Sequence, residues 1–262
     1  MKKIMLIAAA AAGLVAMADG VESGVVGYNT VTIDKQWTIM SVNFTKPDGT
    51  AMTINEAFPY VSGMTQGQSG AADEIQIQNS SGTYDTYYMS NGKAGKATYD
   101  TVGKWVADAD MTQAATITLP PGTAFWYGSK SYATPYTVTV AGGVITDVSK
   151  TIAINKQYTH IANPYPVPLS LNGSIGYVEG MTQGQSGAGD EIQIQNDSGA
   201  YNTYYMSNGK AGKATYDTAG KWVADADMTQ ATDASIPVGK GAWYKRQGAT
   251  DFNIVITKPY DL

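Results

Sequence analysis

The chain has 262 residues, no cysteine, and 17 basic against 22 acidic residues. Without cysteine a disulfide framework is excluded, so stability must come from burial and hydrogen bonding. The acidic balance also excludes the clustered positive charge with which nucleic-acid-binding proteins contact phosphates. Charged residues make up only 15% of the chain and 29 residues are glycine, a composition typical of short strands and turns.

The first 18 residues, Met1–Ala18, have the features of a signal peptide. Lys2 and Lys3 precede an apolar stretch from Ile4 to Val15, and Ala16-Met17-Ala18 supplies a small-x-small cleavage signal. The apolar stretch is too short to span a bilayer, and no later segment approaches the required length. We therefore predict cleavage near Ala18 and a secreted or cell-surface protein without a membrane span. Loss of the two lysines leaves 15 basic against 22 acidic residues, a net charge of −7.

The elements that follow are predicted to be strands. β-rich runs occupy Gly24–Ile33 and Trp37–Phe44, and apolar residues alternate with polar ones along Glu74–Asn79 and Thr83–Met89. One helical turn is expected after Thr53-Ile54-Asn55-Glu56, which fits a capping box. Further strands are predicted at Lys104–Ala107, Ala115–Leu119, Thr123–Tyr127 and Tyr136–Val140.

Most of this pattern occurs twice. Gly63–Gln113 reappears as Gly180–Gln230 with five differences, whereas the flanking segments agree only in pattern. Recent recombination between the copies explains this distribution slightly better than a surface that must stay the same. Gly142-Gly143 is a two-residue hairpin signal between the copies, and no flexible linker separates them. The sequence thus predicts an all-β protein with two tandem homologous β-sandwich or barrel-like domains, residues 19–142 and 143–262, after a signal peptide at residues 1–18.

The two domains are expected to superpose and to bury equivalent side chains. Alternation places these residues on the inner faces of the strands. The predicted core residues are Ile75, Ile77, Trp126, Val138 and Val140, with the counterparts Ile192, Ile194, Trp243, Ile254 and Ile256.

Catalytic motifs are absent from the sequence. His160 is the only histidine, and it stands where the first copy has Ile39, so a structural role is expected. Ser69 and Ser186 lie in Gly-Gln-Ser-Gly segments, which differ from the Gly-x-Ser-x-Gly elbow of hydrolases. We therefore predict that the protein is not an enzyme, and we keep a hydrolase as the weakest of three function classes.

Paired aspartates offer a second candidate chemistry. Asp108 and Asp110, with their copies Asp225 and Asp227, are spaced so that an extended backbone turns both carboxylates to one side. Such a pair suits a hard cation, and calcium is the candidate. The glycines of known calcium-binding repeats are missing, so a solvated, capped turn is the preferred interpretation and no cofactor is predicted.

Aromatic residues and a Gly-rich polar loop form the predicted binding face. Alternation separates Tyr84 and Tyr88 from Tyr87, so that one set packs and the other is available for contact. The loop from Ser90 to Asp100 is identical in both copies, and binding loops are commonly of this kind. Packing of these aromatics in a core is the equally weighted alternative. The face comprises Tyr87, Lys93, Lys96, Tyr99 and Trp105, and in the second copy Tyr204, Lys210, Lys213, Tyr216 and Trp222.

The order of motifs resembles a group of exported bacterial tandem-repeat β proteins. Their units run from x-Gly-aromatic-x-Leu-Ile-x-Asn-Pro, through a polar-aromatic hairpin, to Pro-Gly-x-Gly-aromatic-aromatic. Asn163-Pro164 fits this pattern, whereas the first copy has Asn43-Phe44 and replaces the second glycine by Ala124. The resemblance covers nearly all of both copies and implies an exported, non-catalytic repeat protein.

Together these patterns favour an exported structural or adhesive protein whose duplicated faces contact itself or another surface protein. The alternative is a carbohydrate-binding protein with two equivalent aromatic sites, for which glycans would be the partners. Duplicated sites would increase avidity in either case.

Overall fold

The computed structural model describes residues 25–93, 101–114, 116–210 and 218–261. The predicted signal peptide, Met1–Ala18, lies outside these residues. The described chain is almost entirely β, so the predicted all-β class is confirmed. Among the described residues, no helix has the length and apolar character that a membrane crossing requires.

Nineteen strands and two helical turns make up the described part of the chain. In the first copy they are β1 (Val26–Ile33), β2 (Trp37–Ser41), β3 (Phe44–Thr45), β4 (Met52–Thr53), α1 (Ile54–Ala57), β5 (Glu74–Gln78), β6 (Tyr84–Met89), β7 (Trp105–Ala107), β8 (Thr118–Leu119), β9 (Ala124–Gly128) and β10 (Tyr136–Val144). In the second copy they are β11 (Ser149–Ile154), β12 (Tyr158–Ala162), β13 (Leu169–Ser170), a π-helical turn (Leu171–Ile175), β14 (Glu191–Gln195), β15 (Tyr201–Met206), β16 (Trp222–Ala224), β17 (Ser235–Ile236), β18 (Gly241–Lys245) and β19 (Phe252–Thr257).

Each copy contains one antiparallel sheet of five strands. The order is β2-β9-β5-β6-β7 in the first copy and β12-β18-β14-β15-β16 in the second. The central hairpin β5–β6 closes through Asn79, whose N–H donates to the carbonyl of Thr83, and through Gly82 at φ 86°. A positive φ suits glycine, and this turn lies between the two alternating runs predicted at Glu74–Asn79 and Thr83–Met89.

A second layer covers one face of each five-stranded sheet. In the first copy β1 and β10 pair over eight residues, with Val31 opposite Val138. These two side chains enter the same core cluster as Ile75, Phe125 and Tyr127 of the sheet. The equivalent layer in the second copy is the β11–β19 pair, which contributes Ile154, Phe252, Ile254 and Ile256 to its own core.

The helical turns hold the tryptophan that opens β7 or β16. Thr53 and Glu56 form the predicted capping box of α1. Asn55 in that turn accepts a hydrogen bond from the backbone N–H of Trp105 at 2.9 Å, and the indole N–H of Trp105 donates to Phe58 O at 2.6 Å. Asn172 holds the N–H of Trp222 in the same way at 2.8 Å. Each turn therefore fixes a fully buried indole.

One prediction about the strands needs correction. Gly142-Gly143 is not a turn, because β10 continues through both residues and pairs with β3. A Cβ on Gly142 would lie 2.2 Å from Thr45 O and 2.3 Å from Met52 Cε. These glycines therefore permit close approach of a neighbouring strand, which is the other common use of glycine within a strand.

The predicted core residues divide between two locations. Seven of the ten are buried in the cores of the copies: Ile75, Val138, Val140, Ile192, Ile194, Ile254 and Ile256. Ile77 is half-buried against the first core. Trp126 and Trp243 are also half-buried, and they pack in a separate cluster with Ile39, Ala124 and Ala162. The prediction that these tryptophans belong to the core of their own copy is therefore wrong. Phe125 and Tyr127 fill that place in the first copy, and Ala242 and Tyr244 fill it in the second.

The outer faces of the two sheets contact each other, and Ile39 and Ala124 of the first copy pack there with Ala162 of the second. Gln78 donates to Tyr158 O at 3.4 Å, and its counterpart Gln195 donates to Trp37 O at 3.0 Å. Asn43 adds a further interaction between the copies, because its side-chain carbonyl oxygen accepts from the N–H of Gly239 at 2.8 Å. The two copies are thus joined by reciprocal hydrogen bonds between side-chain amides and backbone carbonyls.

Replacement of Gly241 by alanine is expected to weaken this contact. A Cβ at Gly241 would lie 2.6 Å from Ile39 Cγ2 and 2.9 Å from Ile161 O. Overpacking of this kind costs about 1–3 kcal/mol. Urea denaturation of Gly241→Ala should show a lower midpoint than the wild-type protein. An unchanged midpoint would contradict the close packing of the two sheets.

Candidate functional site

A cleft of about 650 Å³ opens between the two copies. One wall is the outer face of the first sheet, and the other is the β14–β15 hairpin of the second copy. Four aromatic residues line the cleft, namely Trp37, Trp126, Tyr132 and Tyr201. Of these, Tyr132 and Tyr201 are 41% and 37% exposed, so their rings are accessible to a ligand.

A glycine positions the first tryptophan of the cleft. Trp37 at the start of β2 is paired with Gly128 at the end of β9. A Cβ on Gly128 would lie 2.5 Å from Cζ3 of the indole, so the ring lies directly against the glycine backbone. Trp126, two residues earlier on β9, meets Trp37 edge to face with ring centroids 6.2 Å apart. Together they form the aromatic floor of the cleft.

Side-chain amides lie beside the aromatic rings. Gln76 is the β5 residue opposite Trp126, and its amide has no hydrogen-bond partner among the described residues. Gln195 donates to Trp37 O at 3.0 Å and to Gly199 O at 3.3 Å, which leaves its carbonyl oxygen as an acceptor. An amide carries both donors and an acceptor, so this wall can pair with hydroxyl groups.

One end of the cleft is charged. Lys35 donates to Asp34 Oδ1 at 2.8 Å, and this hydrogen bond lowers the pKa of the Asp34 carboxyl against the opposing effect of partial burial. Both residues belong to the turn between β1 and β2. The ion pair is therefore maintained at neutral pH, and the carboxylate is not poised to transfer a proton.

His160 lies behind the aromatic floor, in the contact between the copies. Its ring centroid is 4.0 Å from that of Trp243 and 5.5 Å from that of Trp126, and the residue is only 8% exposed. Neither ring nitrogen has a hydrogen-bond partner among the described residues. Burial lowers the pKa of His160 to about 4, and the charge of Lys156 acts in the same direction. The side chain is therefore neutral at physiological pH.

The predicted binding face is corrected at its best-defined positions. Trp105 and Trp222 are fully buried and Tyr87 is 7% exposed, because alternation turns Tyr87 toward the core and not toward solvent. Tyr204 is half-buried, and Lys93 and Lys210 are exposed. The remaining four predicted residues lie outside the described residues: Lys96, Tyr99, Lys213 and Tyr216.

The paired aspartates are exposed, and two of them serve turns. Asp110 Oδ1 accepts from the N–H and the hydroxyl of Thr112 at 3.0 and 2.7 Å. Asp227 makes the same two bonds with Thr229. Asp108 and Asp225 are exposed at the start of the same turns. Within the ranges that the structure describes, no group of three or more histidine, cysteine, aspartate or glutamate side chains could hold a metal ion.

A buried acid immediately before β5 organises the first core. Asp73 is fully buried and accepts hydrogen bonds from the hydroxyls of Tyr127 and Tyr136 and from the N–H of Lys130. Burial raises the pKa of this carboxyl despite these donors. Asp190 is held similarly by Tyr244 and Gln247. These acids face inward and do not line the cleft.

The two copies differ at the cleft. Lys245 stands where the first copy has Gly128, and its ammonium group is paired with Glu191 at 3.2 Å. Tyr84, the counterpart of Tyr201, packs against His160 with centroids 5.8 Å apart. The arrangement around Trp37 is therefore not reproduced at the equivalent position of the second copy.

His160 makes a testable contribution to the pH dependence of stability. Below pH 6.5 the unfolded chain binds a proton that the folded chain does not accept until about pH 4. Folding stability contributed by neutral His160 is therefore lost as the pH falls through this window, by about 2–3 kcal/mol between pH 7 and pH 4.5. The variant His160→Ile introduces the residue of the first copy. Its free energy of unfolding, measured by urea denaturation, should fall by about 2–3 kcal/mol less than that of the wild-type protein over the same pH change. Equal losses in both proteins would contradict the burial of a neutral histidine.

Comparisons with models of protein families, with curated protein sequences and with solved structures found no match to this chain.

Proposed function

We propose that this chain is an exported, non-catalytic adhesive protein that binds glycans through the cleft between its two copies. The observation that carries the proposal is the placement of Trp37 and Trp126 beside the amides of Gln76 and Gln195, at the edge of an accessible cleft. An export signal is provided by the sequence of Met1–Ala18. Adhesion through a glycan unites the two function classes that the sequence favours.

The chemistry of the lining suits a sugar. A pyranose ring has apolar C–H faces that pack on aromatic rings, and a rim of hydroxyl groups that need hydrogen-bond partners. Trp37, Trp126 and Tyr201 supply aromatic area with little loss of conformational entropy. Gln76 and Gln195 supply donors and acceptors. A cleft of about 650 Å³ also falls within the size range of small-ligand sites.

The absence of a suitable acid pair supports binding without hydrolysis. Most glycoside hydrolases need two carboxylates that flank the scissile bond. Among the described residues that line the cleft, Asp34 alone has a carboxylate, and it is paired with Lys35. The cleft therefore offers recognition chemistry without a general acid and its partner.

Glycan binding can be tested on a glycan array followed by calorimetry with cellohexaose, xylohexaose and chitohexaose. Tyr201→Ala and Trp37→Ala should each lower the affinity for the bound oligosaccharide about tenfold, since an aromatic contact contributes up to about 1.5 kcal/mol. Tyr158→Ala is the matched control, because Tyr158 is the counterpart of Trp37, is 45% exposed and does not line the cleft. The control should bind as the wild-type protein does.

A second variant tests the geometry without removing an aromatic ring. Gly128→Ala should displace the Trp37 indole, because the added Cβ overlaps the ring. We expect weaker glycan binding with unchanged overall secondary structure by circular dichroism. If no glycan binds, or if Tyr158→Ala weakens binding as much as Trp37→Ala does, the cleft is not the site.

A further inference from the structure

The edge of β1 is open along its first half. In its sheet β1 pairs with β10 alone, on one side. Val25 O accepts from the N–H of Val144. Because hydrogen-bonded and non-hydrogen-bonded pairs alternate in an antiparallel ladder, the odd-numbered residues of β1 form the hydrogen-bonded pairs with β10. The N–H and C=O groups of Val26, Tyr28 and Thr30 therefore point away from β10. They have no hydrogen-bond partner among the described residues.

This edge lacks the features that protect natural sheet edges. Such edges commonly carry lysine, proline or a bulge, or they are very short. β1 has eight residues, Val-Gly-Tyr-Asn-Thr-Val-Thr-Ile, without a charge or a proline. The equivalent strand of the second copy, β11, contains Lys150, which pairs with Asp147. The two edge strands of one chain thus differ in the feature that blocks strand addition.

Apolar side chains are unusually exposed at the same place. Val26 and Tyr28 are 72% and 76% exposed, and they border a groove of about 620 Å³ that also includes Pro47, Met52 and Ala141. The end of β1 is less open, because the side chain of Val31 is 4% exposed and lies beside Gly239 of the second copy. The accessible edge is therefore the segment from Val26 to Thr30.

We propose that β1 pairs antiparallel with β1 of a second copy of this chain, around a two-fold axis at Tyr28. This register places Tyr28 opposite Tyr28 of the second molecule, and Val26 of each molecule opposite Thr30 of the other. The outward backbone groups of the two strands therefore meet. Three hydrogen-bonded residue pairs supply about six backbone hydrogen bonds.

The sequence of the edge is self-complementary in this register. Aromatic side chains that face each other across neighbouring strands stabilise the pair, and no like charges are opposed because the strand is uncharged. An isologous contact of this kind closes at a dimer and does not continue into a fibre. The result is a continuous six-stranded sheet, to which each of the two molecules contributes β3, β10 and β1. The inference is independent of glycan binding, since Val26, Tyr28 and Thr30 do not line the cleft.

Cysteine cross-linking tests the register directly, because the protein contains no cysteine. Residues opposite each other in a hydrogen-bonded antiparallel pair have Cα atoms about 5.5 Å apart, within the range that a disulfide spans. Tyr28→Cys should therefore form a disulfide-linked dimer under mild oxidation. Val148→Cys is the matched control, since Val148 is also 76% exposed and lies next to the start of β11. Under the same oxidation it should form little disulfide-linked dimer, as judged by non-reducing electrophoresis.

Light scattering after size exclusion provides the second measurement. The wild-type protein should have twice the mass of one chain, and Tyr28→Lys should be monomeric because it opposes two like charges at the axis. Val148→Lys should keep the mass of the wild-type protein. A monomeric wild-type protein at all concentrations, a dimeric Tyr28→Lys variant, or equal cross-linking of the two cysteine variants would overturn the proposal.

Discussion

The contact between the two copies depends on small side chains where the sheets approach each other. Gly241 and Ala124 occupy equivalent positions on β18 and β9, and Ala162 stands on the neighbouring β12. A methyl group at Gly241 would enter the space of Ile39 and of a backbone carbonyl. Because the sheets can approach this closely, Gln78 and Gln195 reach the backbone of the opposite copy. The cleft exists only because these walls are held together.

The local elements were predictable because each depends on residues close in the sequence. The hairpin β5–β6 follows from alternation and the turn at Gly82, and α1 follows from Thr53 and Glu56. The cleft was not predictable, because alternation shows that Trp126 and Phe125 face opposite ways but not which face another sheet will cover. The same ambiguity placed Tyr87 on an exposed face, although it packs in the core.

The near-identical block and the cleft overlap only partly. Trp37, Trp126 and Tyr132 lie outside Gly63–Gln113, in flanks where the copies have diverged. Identical segments therefore meet different surroundings: Tyr84 packs on His160, whereas Tyr201 borders the cleft. Selection for one shared surface does not explain identity at Trp105 and Trp222, which are buried. A recombination event explains it without requiring that both blocks have the same role.

The grouping of the tryptophans gives the molecule two separate optical populations. Trp105 and Trp222 lie within the cores, whereas Trp37, Trp126 and Trp243 gather at the junction of the copies. The indoles of Trp126 and Trp243 are 6.0 Å apart at an angle of 66°, close enough for their electronic transitions to couple. The resulting near-ultraviolet dichroism belongs to the docked state of the two copies. Undocking would remove it while the core indoles keep their blue-shifted emission.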